Sequence, residues 1–229
     1  MEDLRHRWNR TRELIEAACR RSGRDPRDVR VVAVTKYVDA DAIREVLDVG
    51  LTDIGESRVQ EAVPKWKALD GRGTWHFIGH LQRNKVKDVV TRFTYIHSLD
   101  RYPLAEEINR RARQVDRIMR CFIQVNVSGE QSKFGLPPSE VVEFAREVAE
   151  LPYIRIEGLM TMAPRSDNSE EIRPIFRRLR EIRDEIRRLG DPKLQVPHLS
   201  MGMSQDYTVA VEEGATWLRL GSVLVGGSR

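Results

Sequence analysis

The chain has 229 residues, of which 40% are hydrophobic and 32% charged, and it carries 39 basic against 35 acidic side chains. This balance is typical of a globular protein with a full hydrophobic core and excludes a disordered or fibrous chain. The sequence contains neither a signal peptide nor an apolar run of the roughly 20 residues that span a bilayer, so we expect a cytoplasmic protein without membrane association. The two cysteines, Cys19 and Cys121, are too few for a disulfide framework or a four-cysteine zinc site.

The basic residues mostly stand beside acidic ones, as in residues 170–188, where both signs mix along a predicted helix. The net charge is only +4 and aromatic residues make up 7% of the chain. Proteins that bind nucleic acids more often carry one uncompensated basic patch with interleaved aromatics. The charge pattern therefore predicts no nucleic-acid partner.

Short apolar runs alternate with amphipathic stretches along the chain. An opening helix (residues 1–23) ends at Gly23, and Val29–Val34 predicts the first buried strand. The longest later helix has an apolar stripe that includes Leu189, and Pro174 predicts a start or kink near its beginning. Seven further strands are predicted at Thr52–Gly55, Thr74–Ile78, Phe93–His97, Met119–Val125, Ile154–Met160, Gln195–Leu199 and Thr216–Leu220.

This alternation of strands and helices predicts an α/β protein with a parallel sheet. At this length the units fit a single closed (β/α)8 barrel of the TIM type (residues 29–229), preceded by the extra N-terminal helix (residues 1–23). The alternative is an open, doubly wound sheet. Against it, Val34–Tyr37 stands where a Gly-x-Gly-x-x-Gly loop would follow the first strand.

Small polar residues follow the seventh and eighth strands: Ser200, Gly202 and Ser204 after one, Gly221 and Ser222 after the other. Barrels of this type frequently bind phosphate at these two loops, through hydroxyls and backbone N–H groups. Serine and glycine are also typical of helix caps and turns. For a single such loop, a role in capping or turns is the preferred interpretation. Because two such loops follow neighbouring strands, a phosphate site and a purely structural role are equally favoured.

Lys36 follows the apolar first strand, so its side chain starts in the barrel interior. Partial desolvation favours the neutral amine, which is a nucleophile, whereas a strand-end lysine can also extend to water. Beside a phosphate site, such an amine suits a phosphorylated aldehyde or ketone, either pyridoxal phosphate or the substrate of an aldolase. Arg219 could then face a pyridine nitrogen, which its donor-only guanidinium would keep unprotonated, or it could pair with Glu157 or Glu56.

The other reactive side chains favour structural roles. His76 and His80 have a spacing that suits a metal only on a helix, but His76 lies in a predicted strand, so we expect no metal site. Cys121 is interpreted as a buried strand residue. Lys133 could be a second amine for the cofactor, although a solvated loop lysine is the simpler interpretation.

Taken together, these segments resemble the pyridoxal phosphate homeostasis proteins, which look like the barrel domain of alanine racemase without its second domain. The resemblance covers nearly the whole chain and rests on Val32–Lys36, Gly55–Glu61, Trp75–Lys85, His97–Asp100, Gly158–Met162, Leu199–Ser204 and Arg219–Ser222.

The resemblance implies that Lys36 holds pyridoxal phosphate as an internal aldimine, a Schiff base, and that Arg219 is the partner of the pyridine nitrogen. Two positions depart from the family pattern: Ser57 stands where asparagine is usual and receives no role, and Ser222 replaces threonine but keeps the hydroxyl. The segments that bind phosphate in the family match Ser200, Gly202, Ser204, Gly221 and Ser222.

The resemblance also implies a role in pyridoxal phosphate homeostasis, by buffering the cofactor or delivering it to apo-enzymes, without an established reaction. Racemisation needs an acid and a base on opposite faces of the substrate. The chain ends at Arg229, so we expect the second racemase domain to be absent. The alternatives are a small single-domain amino-acid racemase and a lysine Schiff-base aldolase, and we expect a monomer. The candidates for an opposing acid or base are Tyr37, Tyr207, His76 and His80.

Overall fold

Eight parallel strands close into a barrel in chain order in the computed structural model, which describes residues 3–131, 133–166 and 168–226. Because β1 pairs with both β2 and β8, the predicted (β/α)8 barrel is confirmed and the open-sheet alternative is wrong. The strands are β1 (Arg30–Val34), β2 (Asp53–Glu56), β3 (Thr74–Phe77), β4 (Tyr95–Leu99), β5 (Met119–Gln124), β6 (Ile154–Met160), β7 (His198–Ser200) and β8 (Trp217–Leu220).

Helices surround the barrel, and none in the described ranges is long and apolar enough to cross a membrane. Short 3-10 helices lie at Pro26–Asp28, Arg83–Lys85, Pro138–Glu140 and Ser169–Ile172. The α-helices are α1 (Leu4–Ser22), α2 (Ala40–Asp48), α3 (Val59–Ala68), α4 (Val86–Val90), α5 (Tyr102–Gln114), α6 (Val141–Ala149), α7 (Arg173–Arg187), α8 (Tyr207–Glu212) and α9 (Ser222–Val225).

Two strands begin two or more residues later than the sequence predicts, whereas the bounds of the others agree to within one residue. Strand β4 begins two residues later than predicted, because Phe93 packs edge-on against the rings of Trp75 and Phe77 instead of joining the sheet. Strand β7 begins at His198, since Pro197 has no N–H to donate to a ladder and Val196 adopts a positive φ of 35°.

Helix α7 begins at Arg173, with Pro174 in its first turn, where a missing N–H costs nothing. Its buried stripe is formed by Phe176, Leu179, Ile182 and Ile186. The prediction that Leu189 belongs to this stripe is wrong. The helix ends at Arg187, and Leu189 lies beyond it with 39% of its surface exposed.

The barrel interior is partly aromatic and partly polar. Its apolar layer consists of Val32, Tyr95, Phe122, Met160 and Trp217, which alternate along their strands with residues facing the helices. The polar side chains His76, His97, Ser200 and Arg219 are buried within the same barrel. A polar interior of this kind is stable only when its groups are hydrogen-bonded to one another.

These polar side chains form one continuous series of contacts, which we call the interior network (Asp53, His76, His97, Ser200 and Arg219). Asp53 Oδ1 lies 2.9 Å from His76 Nε2, and His76 Nδ1 lies 3.0 Å from His97 Nε2. His97 Nδ1 lies 2.8 Å from Ser200 Oγ, which also accepts a 2.8 Å hydrogen bond from Arg219 Nη1. The network therefore joins β2, β3, β4, β7 and β8 across the interior.

Burial lowers the pKa of His76, although its hydrogen bond to Asp53 acts in the opposite sense. Burial also lowers the pKa of His97 well below its usual value, and the neighbouring His76 and Arg219 add to this effect. Both imidazoles are therefore neutral at neutral pH, so each has one ring nitrogen that donates and one that accepts.

Gly158 marks the closest approach of two strands. A Cβ atom at this position would lie 2.0 Å from the carbonyl oxygen of His198 in the neighbouring β7. The partner is backbone, so no side-chain movement can relieve the contact. The pairing of β5 with β6 also shifts register at this level, between Cys121 and Phe122.

We expect Gly158→Ala to lower the free energy of unfolding by about 3 kcal/mol or more, because the added methyl group would force β6 and β7 apart. Urea denaturation would measure the loss. Gly190→Ala is a matched control, since its Cβ would meet no atom within 4 Å and only the φ of 71° is strained; it should cost about 1 kcal/mol. Equal losses in the two variants would contradict this account of the strand contact.

We expect stability to decrease below pH 6.5. The unfolded chain protonates His76 and His97 near their usual pKa, while the folded interior excludes those protons, so stability present above that pKa is lost as the pH falls. Each histidine contributes a slope of up to about 1.4 kcal/mol per pH unit. Urea midpoints between pH 7 and 5 should therefore fall less steeply in His97→Gln, and the exposed His80→Gln should match the parent protein. Identical slopes in all three proteins would refute the prediction.

Candidate functional site

The candidate residues lie at the carboxyl ends of three adjacent strands. Lys36 occupies the turn after β1, and the loops of interest follow β7 and β8. Strand pairing fixes their proximity, because Ala33 of β1 pairs with Leu220 of β8 and Ser200 of β7 pairs with Trp217 of β8. This end of the barrel, which we call the mouth, is where barrels of this type carry their functional groups.

The loops after β7 and β8 are in direct contact. Ser204 Oγ accepts hydrogen bonds from the backbone N–H groups of Gly221, at 3.3 Å, and Val223, at 3.4 Å. Two backbone donors, Gly221 just before α9 and Val223 in its first turn, thus converge on a single oxygen atom of the loop after β7. Ser222 is exposed between these two donors.

Gly202 allows the first of these loops to pass close to its neighbours. It has a φ of 97°, and a Cβ atom there would lie 2.7 Å from the Cβ of Ala210 and 2.9 Å from Leu218. Its carbonyl oxygen accepts a hydrogen bond from the backbone N–H of Arg219. Only glycine satisfies both the backbone conformation and the space at this position.

Lys36 follows Val32 and Val34 on the inward-facing side of β1 and is half-buried. Its Nζ lies 4.8 Å from the centre of the Tyr37 ring, and within the described ranges it makes no ion pair or hydrogen bond. A Cβ atom at Gly221 would lie 3.5 Å from Val34, so the loop after β8 runs beside the end of β1. The amine of Lys36 therefore has no hydrogen-bond or ion-pair partner among the described residues. Val34, two residues before it, lies beside the loop after β8.

Arg219 is the cation at the base of the mouth. Its guanidinium donates to Ser200 Oγ at 2.8 Å and to the carbonyl oxygen of Thr161 at 2.9 Å. Burial lowers the pKa of Arg219 to about 10, and Asp206 opposes this effect. The side chain consequently remains charged at neutral pH, although it is only 4% exposed.

The alternative that Arg219 pairs with Glu56 or Glu157 is wrong. Glu56 accepts hydrogen bonds from Lys65 Nζ at 2.9 Å and Thr35 Oγ1 at 2.7 Å, on the side of β2 that faces the helices. Burial raises the pKa of Glu56, against the effect of these two donors.

Glu157 has other partners as well. It lies 3.3 Å from Arg155 and 3.6 Å from Arg120, among residues near the amino ends of β5 and β6. Both carboxylates are thus used elsewhere. The guanidinium of Arg219 has only neutral acceptors as its direct hydrogen-bond partners in the described residues.

Ser200 differs from its predicted place in an open loop. It is the last residue of β7, fully buried, and its hydroxyl lies between His97 and Arg219. The hydroxyl is therefore committed to the interior network rather than presented at the mouth.

The remaining predicted candidates lie outside the mouth or serve the core. His76 belongs to the interior network, whereas His80 stacks on Phe134 with ring centres 3.9 Å apart. Cys121 is fully buried, and burial raises the pKa of its thiol. Lys133 Nζ pairs with Glu130 at 2.9 Å. No group of histidine, cysteine and acidic residues suited to a metal ion occurs in the described part of the chain.

Sequence reasoning did not assign a role to Asp53, His97 or Thr161. The sequence could have indicated Asp53 and His97, because strand residues alternate between the barrel interior and the helices and both occupy interior positions of β2 and β4. The contribution of Thr161 had no such signal, because it is a backbone carbonyl oxygen that accepts from Arg219.

Comparisons with known proteins agree over almost the whole chain. A sequence model of the family described as alanine racemase, N-terminal domain, matches residues 2–229. A pyridoxal phosphate homeostasis protein of Aquifex aeolicus is 45% identical over 221 residues, which cover 96% of each chain. A protein of the same name from Escherichia coli K12 is 36% identical over 234 residues, covering 99% of this chain and 97% of that relative.

Solved structures give the same result. PipY of Synechococcus elongatus PCC7942, with pyridoxal phosphate bound, has a TM-score of 0.82 at 35% identity and covers 93% of this chain and 100% of its own. An alanine racemase of Clostridium difficile, 16% identical with a TM-score of 0.75, covers 96% of this chain and 56% of its own and shows the shared fold. The chain therefore belongs to the alanine racemase N-terminal domain family and, within it, to the pyridoxal phosphate homeostasis proteins.

Proposed function

We propose that this protein binds pyridoxal 5'-phosphate at the mouth of the barrel through Lys36 and acts in the intracellular homeostasis of that cofactor, by buffering or delivering it. The observation that carries the proposal is the combination, at the adjacent strands β1 and β8, of an uncommitted amine, a buried cation and two converging backbone donors. A phosphorylated pyridine aldehyde needs these three kinds of partner.

The backbone donors of Gly221 and Val223 suit the phosphate group. They already point at one oxygen atom, that of Ser204, so the chain after β8 directs two backbone donors to a common acceptor. The exposed hydroxyl of Ser222 adds a third donor, and Gly202 keeps the loop after β7 close to β8. We assign Ser200 to the support of Arg219 instead of the phosphate, because its hydroxyl is fully buried between His97 and Arg219.

Arg219 suits the pyridine nitrogen. A guanidinium donates hydrogen bonds but accepts none, and Arg219 stays charged at neutral pH, so a ring nitrogen beside it remains an acceptor. When bound, pyridoxal phosphate supplies an aldehyde that combines reversibly with amines and a ring that withdraws electrons. An unprotonated ring withdraws electrons less strongly and therefore stabilises a carbanion less.

The four candidates for an opposing acid or base also favour binding over racemisation. Tyr37, next to the amine, is 73% exposed, so water reaches this part of the mouth. His76 has both ring nitrogens hydrogen-bonded inside the barrel, and His80 stacks on Phe134. Tyr207 is buried in α8. The open mouth suits uptake and release of a cofactor.

Borohydride reduction tests the proposal. We expect the purified, cofactor-loaded protein to be yellow, and peptide mass spectrometry after reduction to find a pyridoxyl group on Lys36. Lys36→Ala should lose the yellow colour yet retain weak binding through the phosphate loops. Lys133→Ala is the matched control and should be labelled on Lys36 like the parent protein. A pyridoxyl group on another lysine of the parent protein, with Lys36 unlabelled, would refute the assignment.

The phosphate assignment gives a separate expectation. Ser222→Ala should weaken binding by about 1 kcal/mol, roughly five-fold in Kd, because one hydrogen bond to a charged group is lost. Titration with pyridoxal, which has no phosphate, should show no difference between variant and parent. Ser139→Ala, an exposed serine before α6 and outside the loops after β7 and β8, is the control. An equal loss for pyridoxal and pyridoxal phosphate would show that Ser222 does not contact the phosphate.

The identity of any apo-enzyme that receives the cofactor, the monomeric state and the cytoplasmic location stay predictions from the sequence. Size-exclusion chromatography with light scattering would decide the second of these.

A further inference from the structure

We propose that Asp53, His76, His97 and Ser200 are positioning residues for Arg219, and that the charge of Asp53 determines which ring nitrogen of His76 and of His97 carries the proton and donates. The proposal rests on the proposed function only where it concerns the effect on bound cofactor. The direction of the hydrogen bonds is a property of this chain alone.

At the mouth end, the direction follows from the chemistry of arginine. The guanidinium of Arg219 can only donate, so Ser200 Oγ accepts in their 2.8 Å contact. Ser200 then has its single hydroxyl hydrogen to direct elsewhere. The neighbouring acceptor is His97 Nδ1, at 2.8 Å, provided that this nitrogen carries no proton.

At the opposite end, the direction follows from the chemistry of a carboxylate. Asp53 Oδ1 accepts from His76 Nε2, at 2.9 Å, so the proton of neutral His76 lies on Nε2 and its Nδ1 is an acceptor. His97 must then donate through Nε2 to His76 Nδ1, at 3.0 Å. This leaves His97 Nδ1 unprotonated, as the mouth end requires.

The two ends therefore demand the same assignment: Arg219 donates to Ser200, Ser200 to His97, His97 to His76 and His76 to Asp53. The reverse tautomers would turn the bare lone pair of His76 Nε2 toward the carboxylate of Asp53. They would also give Ser200 two donors at once, from His97 and Arg219. Both contacts are unfavourable in a low-dielectric interior, so one direction dominates.

The consequence concerns a buried cation. Arg219 is hydrogen-bonded to the neutral oxygens of Ser200 and Thr161, and donors aligned from Arg219 toward Asp53 turn the negative end of each dipole toward the guanidinium. Asp53 itself is 18% exposed and lines a groove at the amino ends of the strands, together with Trp8 and Thr52. The carboxylate of Asp53, at the amino ends of the strands, thus orients the hydrogen bonds that hold the guanidinium of Arg219 near the mouth.

Imidazole NMR tests the assignment without any variant or cofactor. Long-range ¹H–¹⁵N correlation spectra at neutral pH should show His76 and His97 each as the Nε2–H tautomer, with at least about a ten-fold preference, as a hydrogen bond to a charged group provides. Either ring found as the Nδ1–H tautomer, as a mixture or as a cation would overturn the proposal.

Two variants then test which end sets the direction. The neutral amide of Asp53→Asn can donate as well as accept, so we expect both tautomers of His97 to become populated. Ser200→Ala removes the other end and should leave both rings in the Nε2–H form. Asp48→Asn, which changes an exposed carboxylate paired with Arg72, is the control. A single Nε2–H tautomer in Asp53→Asn, or mixed tautomers only in Ser200→Ala, would show that Asp53 does not set the direction.

Visible spectroscopy of the cofactor-loaded protein tests whether the effect reaches Arg219. The absorption band should move in Asp53→Asn and stay in place in Asp48→Asn, whereas a role of Asp53 in packing alone would alter stability and leave the band unchanged. An unmoved band in Asp53→Asn would remove the link to the cofactor. If the parent protein binds no cofactor but shows the expected tautomers, the proposed function fails and the hydrogen-bond assignment stands.

Discussion

A positive charge buried in the barrel, with only neutral hydrogen-bond partners, is the constraint on which the interior depends. Arg219 remains charged at neutral pH although it is almost fully buried, and its direct acceptors are Ser200 and Thr161. Such a charge is tolerated when every donor is satisfied and the surrounding dipoles are aligned. This requirement explains why two histidines and a serine occupy positions that aromatic or aliphatic residues fill elsewhere in the same interior.

The site itself follows from closure of the sheet. Lys36 comes from the first strand and the loops that we assign to phosphate come from the last two, so the pairing of β1 with β8 brings them together. Close backbone packing at Gly202 and the hydrogen bonds of Ser204 then join the two loops. The contacts that close the barrel, namely strand pairing, backbone packing at Gly202 and the hydrogen bonds of Ser204, thus also position the mouth.

Much of this was accessible from the sequence. Strand and helix alternation predicted the barrel, and the position of Lys36, Gly202 and Ser204 after their strands placed them at the same end of it. Ser200 was misplaced because a pattern of serine and glycine does not reveal where a strand ends, and the three-residue β7 includes it. The interior network was missed because its hydrogen bonds join five strands, and pairing of that kind is decided by barrel register, which local sequence does not encode.

The pairing of β1 with β8 has a consequence for assembly. The amine and the buried cation come from opposite ends of the chain, so neither can contribute to one site until the final strand has been inserted. A ligand that needs both recognises only molecules whose sheet is complete, and by mass action it enriches them over partly folded ones. Binding of such a ligand would thereby stabilise the closed barrel relative to partly folded chains.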